Sequence, residues 1–318
     1  MNPIQLTLTK RERILGGLWG SVVGDALGVP VEFQDRSVLK ANPVTNLREY
    51  GTHRQPKGTW SDDTSLSLCT MDSLLNADFD IEDMGRRFVE WMYRGLWTPW
   101  GEPFDVGIAT SDALVRIANG GPAANRGGCG EYDNGNGSLM RILPVALRFS
   151  HEPTEQLLER IHPASAITHG HLRSQMACGF YALMAGHLLA GCQANAALNN
   201  TRCVFETFYN QTSEIQHFRK LLDTDFISIS ESLINSSSYV IHTLNASIWC
   251  LLNSSSYEEC VLKAVNLGGD SDTTGCAAGG LAGLYYGLEA MPEPWRKSMA
   301  RAEDLERLFA RFADLVLK

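Results

Sequence analysis

Ile14-Leu15-Gly16-Gly17-Leu18-Trp19-Gly20-Ser21-Val22-Val23-Gly24-Asp25-Ala26-Leu27 places apolar side chains at 14, 15, 18, 19, 22 and 23, which is one face of a helix. Ser65 to Leu75 repeats the period through Leu66, Leu68, Met71, Leu74 and Leu75. Further helical segments read as 80–95, 105–119, 138–149, 154–163, 169–190, 195–209, 238–253, 257–266, 272–288 and 302–317. Asp80, Asn136 or Ser138, and Thr154 are the expected caps of three of them, because each can accept from free first-turn amides. No series of alternating β-branched strands emerges, so the expected class is all-α.

Glycine inside a helix costs up to about 1 kcal/mol against alanine. Gly16-Gly17, Gly20 and Gly24 lie in the first helix, and Gly275, Gly279, Gly280 and Gly283 lie in a late one. Close helix–helix approach is the compensation expected, which puts both helices in the middle of the bundle.

The chain has 318 residues, enough for a large core, and reads as one domain, 1–318, with 1–9 a flexible tail. Two irregular stretches, 122–137 and 228–238, are too short to separate domains. With 27 basic and 36 acidic residues the formal net charge is −9, and no Lys/Arg-rich run appears, so a nucleic-acid surface is not expected. Residues 1–13 lack an apolar core of signal-peptide length, and Ala177–Ala190 is too short and polar to span a bilayer. A cytoplasmic protein without a membrane partner is the expectation. The eight cysteines form no CxxC and read as reduced, mostly core residues.

Two acidic clusters sit about two hundred residues apart: Trp60-Ser61-Asp62-Asp63-Thr64 and Gly268-Gly269-Asp270-Ser271-Asp272-Thr273-Thr274. Either alone also serves as a helix cap, since a carboxylate accepts first-turn amides and complements the dipole. Two such clusters, each opening a helix, suit hard divalent cations, which prefer carboxylate, hydroxyl and water oxygen. Asn136-Gly137-Ser138-Leu139-Met140-Arg141 runs from glycine-rich chain into an apolar helix; free amides there make an anion site, and Arg141 adds a bidentate donor for phosphate. A plain loop leading into a capped helix is the other reading. The spacing of His169 and His171 does not match a zinc pair; contact with a substrate or a buried structural place is expected. Asp25, Glu32 and Asp105 are lone charges among apolar neighbours and need partners if buried.

Five segments in order carry a resemblance: Gly24–Gly28 with Glu32, Trp60–Thr64, Asn136–Pro144, Ile167–His171 and Asn266–Thr274. The chain resembles the ADP-ribosylglycohydrolase family, which includes the dinitrogen-reductase-activating glycohydrolases. The resemblance implies an all-α orthogonal bundle with two Mg2+ or Mn2+ ions. By motif match, Ser61, Asp62, Asp63, Asp270, Asp272 and Thr273 would be ligands, and Glu32, Asp105 and Asp63 would carry the catalysis. Asn136, Gly137, Ser138, Met140, Arg141 and His169 would line the ADP-ribose pocket. Serine at 61 departs from the commoner threonine but keeps the hydroxyl.

The implied activity is dimetal-dependent removal of ADP-ribose from modified protein side chains, with arginine the first linkage and serine the second. The implied partners are an ADP-ribosylated protein and ADP-ribose. Three rivals stand beside this reading. A helical isoprenoid synthase would carry a DDxxD-type run, whereas an apolar residue holds the fifth position here. A non-catalytic ADP-ribose-binding module would have lost ligands. A protein that neutralises an ADP-ribosyltransferase by contact would use 1–9 or 228–238.

Overall fold

A computed structural model describes residues 8–318. In chain order the helices are α1 (Lys10–Gly28), α2 (Arg36–Ala41), α3 (Asp62–Ala77), α4 (Ile81–Arg94) and α5 (Ile108–Ala118). They continue with α6 (Leu143–Phe149), α7 (Thr154–Ala166), α8 (Leu172–Leu189), α9 (Ala194–Tyr209) and α10 (Arg219–Leu222). The last are α11 (Val240–Leu252), α12 (Tyr257–Asn266), α13 (Ser271–Tyr286), α14 (Glu293–Lys297) and α15 (Ala302–Val316). Among the described residues, strand-like pairing is confined to isolated bridges such as Gly128 with His169. The class is all-α, as the periodicity indicates.

The central pair is α1 with α13, and their glycines explain it. A Cβ placed on Gly20 would lie 2.2 Å from the Gly279 carbonyl oxygen, and one on Gly24 would lie 2.0 Å from that of Gly275. Only bare backbone fits, so the two axes close to a distance that any side chain would prevent. Phenolic hydroxyls finish the contact: Tyr257 donates to Gly20 O at 3.0 Å and Tyr181 to Ala277 O at 2.9 Å. α1 is long and apolar enough to resemble a membrane span, but its apolar surface is buried inside the bundle. The two helices run so that the C-terminal end of α1 meets the N-terminal end of α13, where Ser271 Oγ donates to Gly28 O at 3.0 Å. Residues from both acidic clusters gather at that end.

Helix starts depart from expectation in three places. Thr9, counted with the tail, caps α1: its hydroxyl accepts from Glu12 N at 3.2 Å while Glu12 accepts from Thr9 N at 2.7 Å. The stretch 1–7 of the expected tail lies outside the described residues. α6 begins at Leu143 rather than 138, because Pro144 has no amide to donate to Met140 O and fits only a helix's first turn; neither Asn136 nor Ser138 is its cap. α7 is preceded by Pro153, and Thr154 is its first helical residue rather than its cap. Asp80 does cap α4, accepting from Glu82 N at 2.9 Å and Asp83 N at 3.1 Å. The cysteines are free, and Cys69, Cys178, Cys250, Cys260 and Cys276 are buried.

Candidate functional site

Asp25, near the end of α1, organises the first cluster. Its carboxylate accepts from Ser61 N at 3.0 Å, Thr64 N at 3.1 Å and Thr64 Oγ1 at 2.6 Å. Those bonds fix the corner through which the chain enters α3, where Ser61 is the N-cap. Burial pushes the Asp25 carboxyl up to about 6, against the pull of those donors. The lone charge noted in the sequence therefore has its partners, and they belong to the Ser-Asp-Asp-Thr run.

The second cluster is held by Gly268 and Gly269, with φ of 73° and 67°. A Cβ at 269 would also strike Ser236 O at 2.4 Å, so glycine is required there. The turn exchanges backbone bonds with the Glu32 segment: Phe33 N donates to Gly269 O at 2.7 Å, and Gly269 N donates to Gln34 O at 2.9 Å. Glu32 and Asp270 are thereby brought to one cleft. The clusters meet on Asp63, whose Oδ2 accepts from Ser61 Oγ at 3.2 Å and Thr273 Oγ1 at 3.4 Å.

Asp105 sits in the loop before α5, not in a helix, with φ of 57°. A left-handed aspartate is uncommon, and here it turns the carboxylate toward Glu32 and His53. His53 is hydrogen-bonded to Glu32 and lies 3.9 Å from Asp105. It is absent from the sequence-derived set, because Thr52-His53-Arg54 has no periodicity or spacing that singles it out. Glu32, His53, Asp105 and Asp272 bring one ligand atom each within 4.8 Å of one another, an acidic and histidine set able to hold a metal ion.

The electrostatics of the cleft favour a cation. Burial first, and neighbouring carboxylates second, hold Asp62, Asp63 and Asp272 well above the usual carboxylate range. Burial also pushes Glu32 up to about 8. The hydrogen bond to Glu32 raises the His53 imidazole. Asp63 Oδ1, Asp270 Oδ1 and Asp272 Oδ2 are buried without a hydrogen-bond partner. Buried carboxylate oxygens are rarely left so, and oxygen donors crowded in this way fit hard divalent cations. Another trio, Glu131, His171 and Glu214, has its carboxylates engaged by Arg173 at 2.9 and 2.8 Å.

The cleft encloses about 200 Å³, and Glu32, Asp62, Asp105, Asn136, Gly137, Met140, His169, Asp270 and Thr273 all line it. No lysine or arginine does so among the described residues. Asn136 also donates to Asp270 Oδ2 at 3.0 Å, so it orients an acidic side chain as well as facing the cleft. Gly137 leaves room for His169: a Cβ there would lie 2.8 Å from the imidazole Cε1.

Two expectations for this loop are corrected. Arg141 does not face a diphosphate; it is fully buried, donates to Ala164 O at 3.0 Å and Thr168 Oγ1 at 2.8 Å, and stacks over Phe88 at 4.6 Å. Ser138 is also fully buried, and its hydroxyl meets Ser165 and Cys178. Arg141 instead acts on the cleft through Thr168. Guanidinium only donates, which leaves the Thr168 hydroxyl proton for His169 Nδ1, 2.9 Å away. His169 is kept neutral, its value pulled down to about 3 by burial and by Arg141, and its ring lines the cleft.

Fold and site together define a class: an all-α enzyme whose central cleft gathers buried carboxylates fit for divalent cations. The ADP-ribosylglycohydrolase family model matches residues 6–318, and the chain belongs to that family. It is 30% identical to the ADP-ribosylarginine hydrolase Tri1 of Pseudomonas putida (strain GB-1), over 95% of this chain and 78% of that relative. It is 29% identical to the ADP-ribosyl-[dinitrogen reductase] glycohydrolase of Rhodospirillum rubrum, covering 96% of each. A solved structure described as an ADP-ribosylglycohydrolase-related protein complex superposes with a TM-score of 0.81 at 33% identity, over 96% of this chain and 99% of that one.

Proposed function

We propose that this chain hydrolyses the bond between ADP-ribose and a modified protein side chain, with arginine as the linkage, using two Mg2+ or Mn2+ ions. Water and the N-glycosidic bond are consumed; ADP-ribose and the free guanidine are formed. The observation that carries the reading is that Asp62 and Asp270 line one cleft, Asp63 meets Thr273, and Asp272 clusters with Glu32 and Asp105, with three buried carboxylate oxygens unpartnered. Ser61, Asp62, Asp63, Asp270, Asp272 and Thr273 would hold the ions. When bound, such ions supply Lewis acidity toward oxygen and neutralise enough charge for a diphosphate to approach acidic walls.

The chain's own residues divide the remaining work. His169, Gly137 and Met140 shape the wall on which ADP-ribose would lie. Glu32 and Asp105 line the cleft and would lie near the anomeric carbon, where positive charge develops in an oxocarbenium-like transition state. Asp105, its carboxyl raised by burial, would give a proton to the departing guanidine nitrogen. The arginine linkage draws support from the Tri1 relative and from a cleft with no lysine or arginine in its lining among the described residues. Incubation with arginine- and serine-ADP-ribosylated proteins plus Mg2+ tests it. Release of ADP-ribose from the arginine conjugate is expected, and release from neither defeats the reading.

A further inference from the structure

Phe33 is at odds with its surroundings in two ways. It is a bulky residue held at φ 62°, a region such side chains seldom enter. It is also 63% exposed at the wall of the cleft, beside Glu32, although apolar rings are normally buried. The backbone bonds from Phe33 N to Gly269 O and from Gly269 N to Gln34 O hold that backbone conformation. Its neighbours are Glu32, the His53 imidazole at 6.3 Å between centroids, and through them Asp105. An aromatic face flanked by carboxylates recognises a planar cation: guanidinium stacks on the ring while its N–H groups reach the oxygens.

We propose that Phe33 is a specificity-determining residue whose ring receives the guanidinium of the modified arginine at the mouth of the cleft. The assignment rests on the arginine-linked substrate proposed above and adds the surface that selects it. A serine conjugate offers no cation to this ring, and free ADP-ribose stops short of it.

The test measures kcat and KM on arginine- and serine-ADP-ribosylated peptides, and ADP-ribose affinity by calorimetry with Mg2+, for the wild type, Phe33→Ala, Phe33→Gly and Phe33→Tyr. Loss of the ring is expected to raise KM for the arginine conjugate roughly three- to thirtyfold, the range of a cation–π contact, with kcat unchanged. Phe33→Gly relaxes the backbone and is expected to behave as Phe33→Ala; Phe33→Tyr is expected to restore the wild-type KM. KM for the serine conjugate and ADP-ribose affinity are expected to stay put. An unchanged arginine KM in Phe33→Ala overturns the assignment alone. An equal loss of ADP-ribose affinity also overturns it, because the ring would then contact the nucleotide. A wild type that leaves the arginine conjugate intact removes the arginine reading and the role of Phe33 together.

Discussion

Asp270 is held at two points and open at a third. Its backbone N donates to Ser236 O at 2.8 Å, and its Oδ2 accepts from Asn136 Nδ2 at 3.0 Å. The other carboxylate oxygen is buried with no partner. Asp270→Ala removes a buried carboxylate from a repelling group, so the metal-free fold is expected to keep its stability while ADP-ribose release and Mn2+ binding are lost. Full turnover in this variant would remove Asp270 from the proposed ligands. Asp25 makes a different prediction, because it touches the first cluster only through hydrogen bonds. In Asp25→Asn one acceptor oxygen survives, but the new amide group faces N–H donors. Divalent-ion affinity is expected to fall roughly ten- to a hundredfold, the usual cost of losing a ligand's support. Calorimetry with Mn2+ reads it, and an unchanged affinity would reduce Asp25 to a plain buried cap. At this scale the sequence is legible as to position where motif and chemistry coincide: Asp62, Asp270 and His169, singled out from distant segments, line one cleft. It is not legible at His53 or Phe33, single residues in irregular chain, nor at Arg141, whose direction depends on where α6 begins.

The helix pair α1 and α13 is legible for a physical reason. Glycines inside a helix are costly alone, so several in register call for a close neighbour, and the carbonyl contacts at Gly20 and Gly24 supply it. Gly20→Ala and Gly279→Ala each drive a methyl group into backbone rather than into a flexible side chain. Each is expected to destabilise the fold by about 1–3 kcal/mol or more, as overpacked cores do. Urea unfolding measures the loss, and a change below about 0.5 kcal/mol, typical of exposed surface, would contradict the packing. Gly186, whose added Cβ meets nothing within 4 Å, is the control: Gly186→Ala is expected to be neutral or mildly stabilising. The helix ends are less legible. The segment expected over 138–149 begins at Leu143 because Pro144 fits a first turn and cannot extend a helix from 138. The short 3-10 turns between Ser213 and Leu233 have no apolar period long enough to reveal them.

Across the whole molecule, the acidic cleft ties stability to pH and to cations. Glu32 moves from the usual 4.5 to about 8 and Asp25 from 3.8 to about 6, while Asp62, Asp63 and Asp272 lie well above 3.8. A carboxyl raised by folding binds its proton more tightly in the folded chain than in the unfolded one. Between the unfolded and folded values the folded state therefore carries more protons, and stability falls as pH rises. His53, raised by its bond to Glu32, acts in the same direction, since its contribution is present at low pH and lost as it deprotonates. The chelator-treated protein is thus expected to lose thermal stability steadily from about pH 4.5 to about pH 8. A divalent cation reverses the balance, because it binds the ionised carboxylates. At a hundredfold excess over its Kd it adds about 2.7 kcal/mol. The increment in Tm on adding Mg2+ or Mn2+ should therefore grow with pH over the same window, and should vanish in Asp63→Asn/Asp272→Asn. Melting curves in parallel pH series, with chelator and with cation, decide the matter. Equal slopes in the two series would mean that the buried carboxylates are not where the cation binds.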